Sequence, residues 1–155
     1  MWLDVRHGLP FPDSSVDGIY SCHLFEHLYW AEASFVAREC RRVLRPGAGI
    51  RLLVPSLEMA IDAYREGRLN WFSDFPHPFQ SPGGRLVNFL FCDGQHRLAF
   101  DHSFATELLT LAGFADIRRV APRVGAVLPT RLLQELEPEV GYTETSLVVE
   151  AFVRR

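Results

Sequence analysis

Leu9–Ser21, which reads LPFPDSSVDGIYS, is the stretch of sequence that decides the fold. Its first half holds two prolines, and proline cannot donate to a strand ladder, so this half is predicted to be a turn. The run that follows, over 16–22, predicts a buried strand. A short helical turn is expected over 23–28. The stretch therefore predicts a loop that leads into a core strand, with a helical turn directly after it.

Outward from this strand, helices and strands alternate. The spacing of apolar residues predicts a helix over 31–44, which Pro46-Gly47 ends, and a strand follows over 50–54. Further helices are expected over 57–66, 85–91, 103–111 and 130–136, and further strands over 2–5, 116–121 and 146–153. This order predicts an α/β domain with a mostly parallel sheet flanked by helices.

Composition limits the classes of function. The chain has 155 residues, 48% of them hydrophobic, and a formal net charge of −3, which favours one folded domain without a nucleic-acid footprint. Its three cysteines, Cys22, Cys40 and Cys92, lie in apolar runs without C-x-x-C spacing, as is typical of buried thiols in a reducing compartment. No apolar run approaches the roughly 18 residues of a membrane span. We therefore expect a cytoplasmic protein that binds neither nucleic acid nor membrane.

Several motifs follow the order of the Rossmann-like (class I) S-adenosylmethionine-dependent methyltransferases. The opening stretch resembles that family's L-P-F-x-D-x-S-x-D approach to its fourth strand. ECRRVLRPG at 39–47 resembles its E-x-x-R-V-L-[KR]-P-G, LAGF at 111–114 its A-G-F, and SLVVEA at 146–151 its last strand. The resemblance implies a partial Rossmann-like methyltransferase fold with an antiparallel carboxy-terminal strand. It also implies S-adenosylmethionine as cofactor and a small-molecule or other nucleophile as methyl acceptor.

The family's glycine-rich cofactor loop is not recognisable in these residues. No G-x-G precedes a helix, and the acid that binds the ribose hydroxyls has no counterpart. We therefore expect residues 1–155 to form a single methyltransferase-like domain that lacks the first βαβ cofactor-binding unit. Its affinity for S-adenosylmethionine should then be weak or absent. A catalytically inactive binding or dimerisation module is the alternative function.

The family's sheet order, 3-2-1-4-5-7-6, has a consequence for the strand over 16–22. This strand corresponds to strand four, so without strand one it becomes an apolar edge, and such edges recruit other strands. Either residues 2–5 fold back onto it, or a partner pairs there. We expect a homodimer or a strand-exchanging partner at this edge.

The resemblance also assigns the cofactor contacts. Asp4 is expected to accept a hydrogen bond from the adenine amino group, and Val5 to contribute backbone. Ser21 and His23 follow the core strand, where they are expected to line the cofactor pocket close to the transferred methyl group.

Two further pairs of residues are candidates for chemistry. Glu26 and His27 are the candidate catalytic residues, because a carboxylate or an imidazole can remove a proton from the attacking nucleophile; alternatively they cap and brace the turn. His96 and Arg97 are candidates for a substrate pocket that binds an anionic group. Asp101 is predicted to be the N-cap of the helix that follows.

The spacing His23-x-x-Glu26-His27 also fits the H-x-x-E-H pattern of zinc hydrolases. That reading needs both histidines on one face of a helix and a third ligand, and the methyltransferase resemblance accounts for the same residues without a metal. No metal is therefore assigned to the predicted site. A metal-dependent hydrolase is a third alternative, and a metal held with the help of His96 or His102 stays open.

Overall fold

A computed structural model describes residues 3–139 and 141–154. The strands in these ranges are β1 (Val16–Cys22), β2 (Leu44–Pro55), β3 (Ala115–Arg119) and β4 (Ser146–Phe152). The α-helices are α1 (Trp30–Val43), α2 (Leu57–Arg65), α3 (Pro82–Phe91), α4 (His102–Leu111) and α5 (Thr130–Leu136). The predicted helices and the strands over 16–22, 50–54, 116–121 and 146–153 are confirmed, although β2 is much longer than predicted because it continues through Pro46-Gly47.

The strand predicted over 2–5 is wrong. Trp2 lies outside the described residues, and Val5–His7 forms one turn of 3₁₀ helix. Asp4 caps this turn by accepting a hydrogen bond from the Arg6 backbone N–H at 3.0 Å. A cap of this kind favours a helical turn over an extended chain. Residues 3–5 therefore do not fold back onto β1 as a strand.

The sheet has the order β1-β2-β4-β3. β1 and β2 are parallel, whereas β4 is antiparallel to both β2 and β3. It follows that β1, β2 and β3 run in one direction and only β4 is reversed, which confirms the expected antiparallel carboxy-terminal strand in a mixed sheet. The order matches the second half of the family's series, 4-5-7-6. Within the described part of the chain, β1 forms one edge of the sheet.

The two faces of the sheet carry different kinds of side chain. Successive strand residues point to opposite faces, and on β2 the buried residues Ile50, Leu52 and Val54 join the main core with α1 and α4. On the opposite face, Arg51 is fully buried between Glu137 and Glu150. The segment over 121–137 covers this second face, so the sheet is enclosed on both sides.

Glu39 and Arg42, the Glu-x-x-Arg pair of the motif at 39–47, bind the loop that leads into β1 through hydrogen bonds. The Leu9 backbone N–H donates to Glu39 Oε2 at 2.9 Å, and Arg42 donates to the carbonyls of Leu9 and Phe11 at 3.0 and 2.9 Å. The Arg42 guanidinium also lowers the pKa of the Glu39 carboxyl to about 2. The motif is thus structural here, because it ties α1 to the proline-containing loop.

The aromatic segment between α2 and α3 forms a small second core. Phe72 is buried against Ala60 and Ala63 of α2, with Trp71 and Phe89 packed around it. Phe75 is 69% exposed, so it does not belong to this core. Among the described residues, no helix has the length and apolar character needed to cross a membrane.

Candidate functional site

The carboxyl ends of β1 and β2 lie beside the amino end of β4, at one end of the strands. β1 ends at Cys22, and Pro55 at the end of β2 pairs with Ser146 at the start of β4. His23 is anchored at this end because its backbone N–H donates to Leu53 O at 3.0 Å. Its φ of 49° lies in the left-handed region, which a residue with a side chain adopts at a cost of order 1 kcal/mol or more. This turn directs the chain across the carboxyl ends of β1 and β2.

The proton on the His23 ring can be assigned from its neighbours. The Ser146 hydroxyl donates to Tyr142 O at 2.6 Å, so its single hydrogen is already used. His23 Nε2 lies 2.9 Å from the same hydroxyl oxygen and must therefore be the donor of that contact. The other nitrogen, Nδ1, then carries a lone pair when the ring is neutral.

His27 and His96 are oriented in a similar way by backbone carbonyls. His27 Nδ1 lies 3.2 Å from Gln95 O, and His96 Nδ1 lies 3.2 Å from Leu90 O. Carbonyl oxygens only accept, so each Nδ1 carries a hydrogen, and each Nε2 carries a lone pair when its ring is neutral. The two rings stand edge to face with their centroids 4.9 Å apart.

Glu26 lies at the centre of these histidines. Its side chain is 1% exposed, and neither carboxylate oxygen has a hydrogen-bond partner. Oε1 lies 3.3 Å from His23 Nδ1 and 4.0 Å from His27 Nε2. We call Glu26, His23, His27 and His96 the histidine–glutamate cluster.

The chain returns to the cluster after α3. The backbone N–H groups of Arg97 and Leu98 both donate to Glu26 O, at 2.6 and 3.2 Å. These bonds hold the segment over 95–98 against the turn Phe25–His27 and so bring His96 to Glu26.

Burial changes the protonation of the cluster. It raises the pKa of Glu26 to about 7, since the charged form loses its hydration. It also lowers the pKa of His23 to about 4, with His96 and His27 adding to the effect, and it lowers the pKa of His96. His23 and His96 are therefore neutral at pH 7.

Two cavities meet at His23. The first, the edge cavity, has a volume of about 470 Å³ and lies between β1 and α1. Its lining is mostly apolar and includes Val5, Ile19, Ser21 and His23. The Ser21 hydroxyl is buried there and has no hydrogen-bond partner. A cavity of this kind can hold a ligand with an apolar body and at least one polar group.

The second, the histidine cavity, has a volume of about 590 Å³ and is also lined by His23. His27, His96, Trp71 and Tyr142 contribute to its lining. Because the cluster forms part of its wall, a ligand in this cavity would contact titratable side chains directly.

The structure brings together most of the predicted site residues. Val5, Ser21 and His23 line the edge cavity, while His23, His27 and His96 line the histidine cavity. Three residues line neither cavity: Glu26, which is buried beside the histidines, Asp4 and Arg97. The Asp4 carboxylate is held by the Arg6 guanidinium at 2.8 Å, and that guanidinium lowers its pKa to about 2. The exposed Arg97 side chain lies over the Tyr29 ring, 5.3 Å from its centroid, and is not part of the histidine cavity.

The helix that the H-x-x-E-H reading requires is not formed. Only Phe25–His27 is helical, as a single 3₁₀ turn, and His23 precedes it with a positive φ. The predicted N-cap is confirmed, since Asp101 accepts a hydrogen bond from the Phe104 backbone N–H at 2.7 Å.

Sequence reasoning missed Ser146, Tyr142 and Gln95, which orient His23 and His27. They are distant in sequence from β1, and nothing in their local pattern marks them as site residues.

Comparisons with known proteins agree with this geometry. Residues 3–52 match the family model described as "Methyltransferase domain". A Mycolicibacterium smegmatis protein named "Probable S-adenosylmethionine-dependent methyltransferase/" is 43% identical over 74 residues, which cover 45% of this chain and 28% of that protein. A Mycobacterium tuberculosis protein of similar name is 41% identical over 64 residues, covering 41% of this chain and 22% of its own length. The matched stretch is thus less than a third of either relative.

Solved structures show the same fold at low sequence identity. A S-adenosylmethionine-dependent methyltransferase from Archaeoglobus fulgidus has a TM-score of 0.52 at 12% identity, over 92% of this chain and 61% of that one. The methyltransferase SibL in its apo form has a TM-score of 0.56 at 15% identity, over 100% of this chain and 35% of that one.

The fold is that of the second half of a class I methyltransferase sheet, with two cavities at the carboxyl ends of its parallel strands. Residues 3–52 are thus similar to a methyltransferase domain, and the described fold is similar to that of the class I family of S-adenosylmethionine-dependent methyltransferases. The cofactor of that family is S-adenosylmethionine.

Proposed function

We propose that the protein takes part in methyl transfer from S-adenosylmethionine to a small-molecule acceptor. The observation that carries the proposal is the position of His23, which lines both the edge cavity and the histidine cavity. It stands at the carboxyl ends of the parallel strands, where open α/β sheets bind their ligands. The family's cofactor and a methyl acceptor would then meet beside this residue.

The edge cavity fits part of the cofactor. Its apolar lining suits an adenine ring, and the unpartnered Ser21 hydroxyl suits a polar group of the ligand. Val5, Ser21 and His23 would hold the cofactor there. Asp4 would join them only by sharing its carboxylate with Arg6, to which it is already bound. When bound, S-adenosylmethionine supplies a methyl group on a positively charged sulfur atom.

The histidine–glutamate cluster would act on the acceptor. His27 lines the histidine cavity and can take the proton of an attacking hydroxyl or amine at Nε2. Glu26 is buried beside it, 4.0 Å from that nitrogen, and would support this proton transfer through His27. His96 would position the acceptor, and the aromatic side chains of Trp71 and Phe72 would exclude water. The rest of the rate enhancement would come from holding the two reactants in line.

Cofactor binding tests this proposal. Titration calorimetry with S-adenosylmethionine is expected to give saturable heat at up to millimolar concentration. Ser21→Ala should weaken binding about fivefold, because one hydrogen bond contributes about 1 kcal/mol. Ser103→Ala, an exposed serine on α4, is the matched control and should leave the affinity unchanged. The absence of heat for the unaltered chain would contradict the proposal.

We also propose that residues 1–155 form one domain that carries the second half of the cofactor site, and that the glycine-rich loop and the ribose-binding acid come from outside these residues. The free edge of β1 gives a place for such a contribution. The three free thiols of Cys22, Cys40 and Cys92 support a protein that works in the reducing cytoplasm. The apolar edge of β1 supports a homodimer or a strand-exchanging partner.

Pairing at the β1 edge can be tested residue by residue. His23 N–H bonds to β2, so by the alternation of the strand the N–H groups of Tyr20 and Cys22 point towards the open edge. If two copies pair there, sedimentation should show a dimer at micromolar concentration. Hydrogen exchange at Tyr20 and Cys22 should then slow as the protein concentration rises. A monomer at these concentrations, or a dimer in which both amides exchange freely, would argue against pairing at this edge.

A further inference from the structure

The histidine–glutamate cluster contains more hydrogen-bond acceptors than its surroundings can satisfy. When ionised, Glu26 presents two carboxylate oxygens without a donor. His23 presents the lone pair of Nδ1, since its Nε2–H is used on Ser146. His27 and His96 each present the lone pair of Nε2, since their Nδ1–H groups are used on backbone carbonyls. Buried acceptors that face one another without a hydrogen between them are unfavourable.

We propose that Glu26, His27 and His96 form a binding site for a divalent transition-metal cation, with His23 as a fourth ligand. A cation satisfies all of these lone pairs at once. Neutral imidazole and carboxylate together are the donor set of zinc sites in proteins. Magnesium and calcium prefer oxygen ligands alone, so the set selects against them.

The distances are close to those that a metal needs. One ligand atom each from Glu26, His27 and His96 lie within 4.8 Å of one another. Tetrahedral zinc with bonds of about 2.0–2.1 Å places its ligand atoms roughly 3.4 Å apart. The separation of His23 Nδ1 and Glu26 Oε1, 3.3 Å, already has this value. Small side-chain movements of His27 and His96 would bring them to it.

The outer contacts are those that metal-binding histidines make. A ligating imidazole usually donates its second N–H to a carbonyl or a carboxylate, which fixes both the tautomer and the ring orientation. Gln95 O and Leu90 O do this for His27 and His96, and the Ser146 hydroxyl does it for His23. The three rings are therefore held in place without a metal, with His23 Nδ1 and His27 Nε2 at 3.3 and 4.0 Å from Glu26 Oε1.

A metal at this position would border the histidine cavity. If the protein transfers methyl groups as proposed above, an acceptor oxygen that joined the metal as a fifth ligand would lose its proton more readily. This consequence rests on the proposed function, whereas the metal site itself does not. Metal binding is measured without cofactor or acceptor, so the two proposals can fail separately.

The experiment is a titration of the metal-free chain with Zn²⁺, followed by calorimetry, and with Co²⁺, followed by visible absorption. We expect one ion per chain and a Co²⁺ spectrum of tetrahedral intensity. Glu26→Gln and His96→Gln should each weaken Zn²⁺ binding by about 100-fold or more. His7→Gln is the control, since this histidine is 83% exposed and lies outside the cluster, and should bind like the unaltered chain. Mg²⁺ should give no heat.

Thermal unfolding shows whether the variants still fold. In the metal-free state Glu26→Gln should melt at a higher temperature than the unaltered chain, because the glutamine amide can donate to His23 Nδ1. Zn²⁺ should then raise the melting temperature of the unaltered chain and of His7→Gln, but not that of Glu26→Gln. Failure of the unaltered chain to bind Zn²⁺, or equal binding by a folded Glu26→Gln variant, would overturn the proposal.

Discussion

Arg51→Met is expected to lower the free energy of unfolding by about 3–5 kcal/mol, because it leaves two buried carboxylates without their cation. The Arg51 guanidinium is fully buried and binds Glu137 through two bonds, at 2.6 and 2.9 Å. It also reaches Glu150 at 3.0 Å, and the carbonyls of Val124 and Ala121 at 3.0 and 3.1 Å. Chemical denaturation measures the difference.

Arg119→Met is the matched control for this prediction. Arg119 lies on β3, which β4 separates from β2, and pairs with Glu58 at 2.9 Å, but its side chain is 49% exposed. Water screens such a pair, so the loss should be at most about 1 kcal/mol. If Arg51→Met cost no more than Arg119→Met, Arg51 would not be the buried centre of this face.

A second variant separates the cost of unpaired charge from the loss of packing. Arg51→Met combined with Glu137→Leu should recover part of the stability, because an apolar pair replaces one stranded carboxylate. Recovery should stay incomplete, since Glu150 keeps a charge that Arg51 balanced and the Arg123 backbone N–H loses Glu137 as its acceptor. Glu150 also accepts hydrogen bonds from the N–H groups of Ala126 and Val127, at 2.9 and 3.2 Å, so it cannot be removed without leaving them unpaired.

The order of strands and helices could be predicted because apolar spacing and breaker residues are local signals. The helix α5 and the strand β1 have the predicted bounds, and the reversal of β4 followed from the family's motifs. The conformation of the amino-terminal segment could not be predicted. It depends on one capping hydrogen bond, in which the Arg6 backbone N–H donates to the Asp4 carboxylate. This bond competes with the β-propensity of Trp2, Leu3 and Val5.

The buried Arg51 was missed, although the sequence holds a signal for it. An arginine in β2 and a glutamate in β4 each interrupt an apolar run, and the register pairs Arg51 directly with Glu150. Opposite charges in two adjacent core strands are best explained by an ion pair. The third member, Glu137, follows α5 and could not be assigned to the pair without the fold.

The candidate site shows the same division between local and distant information. His23, Glu26 and His27 are close in sequence, so their grouping was predictable from spacing alone. His96 joins them because two backbone hydrogen bonds hold the segment over 95–98 against Glu26 O. The tautomer of His23 depends on Ser146, which follows it by 123 residues. Long-range contacts of this kind leave no periodic pattern in the sequence.

Gly125→Ala is expected to lower the free energy of unfolding by about 2–3 kcal/mol through overpacking. A Cβ at this position would overlap Glu150 Oε1 and would stand 2.5 Å from Arg51 Nη1. Neither group can move aside, because both are fixed by the hydrogen bonds of the buried network. The glycine therefore allows the backbone over 121–127 to approach the ion pairs closely.

Gly83→Ala provides a control of opposite sign. A Cβ at Gly83 meets nothing within 4 Å, and the residue lies in the first turn of α3. Alanine there should leave stability unchanged or raise it by up to about 1 kcal/mol, because it reduces the entropy of the unfolded chain. Equal effects of the two substitutions in urea denaturation would contradict the close approach at Gly125. Gly125→Ala should also be measured in the Arg51→Met variant. If it lowers the free energy of unfolding strongly in the unaltered chain but not in that variant, the glycine acts through the buried ion pairs.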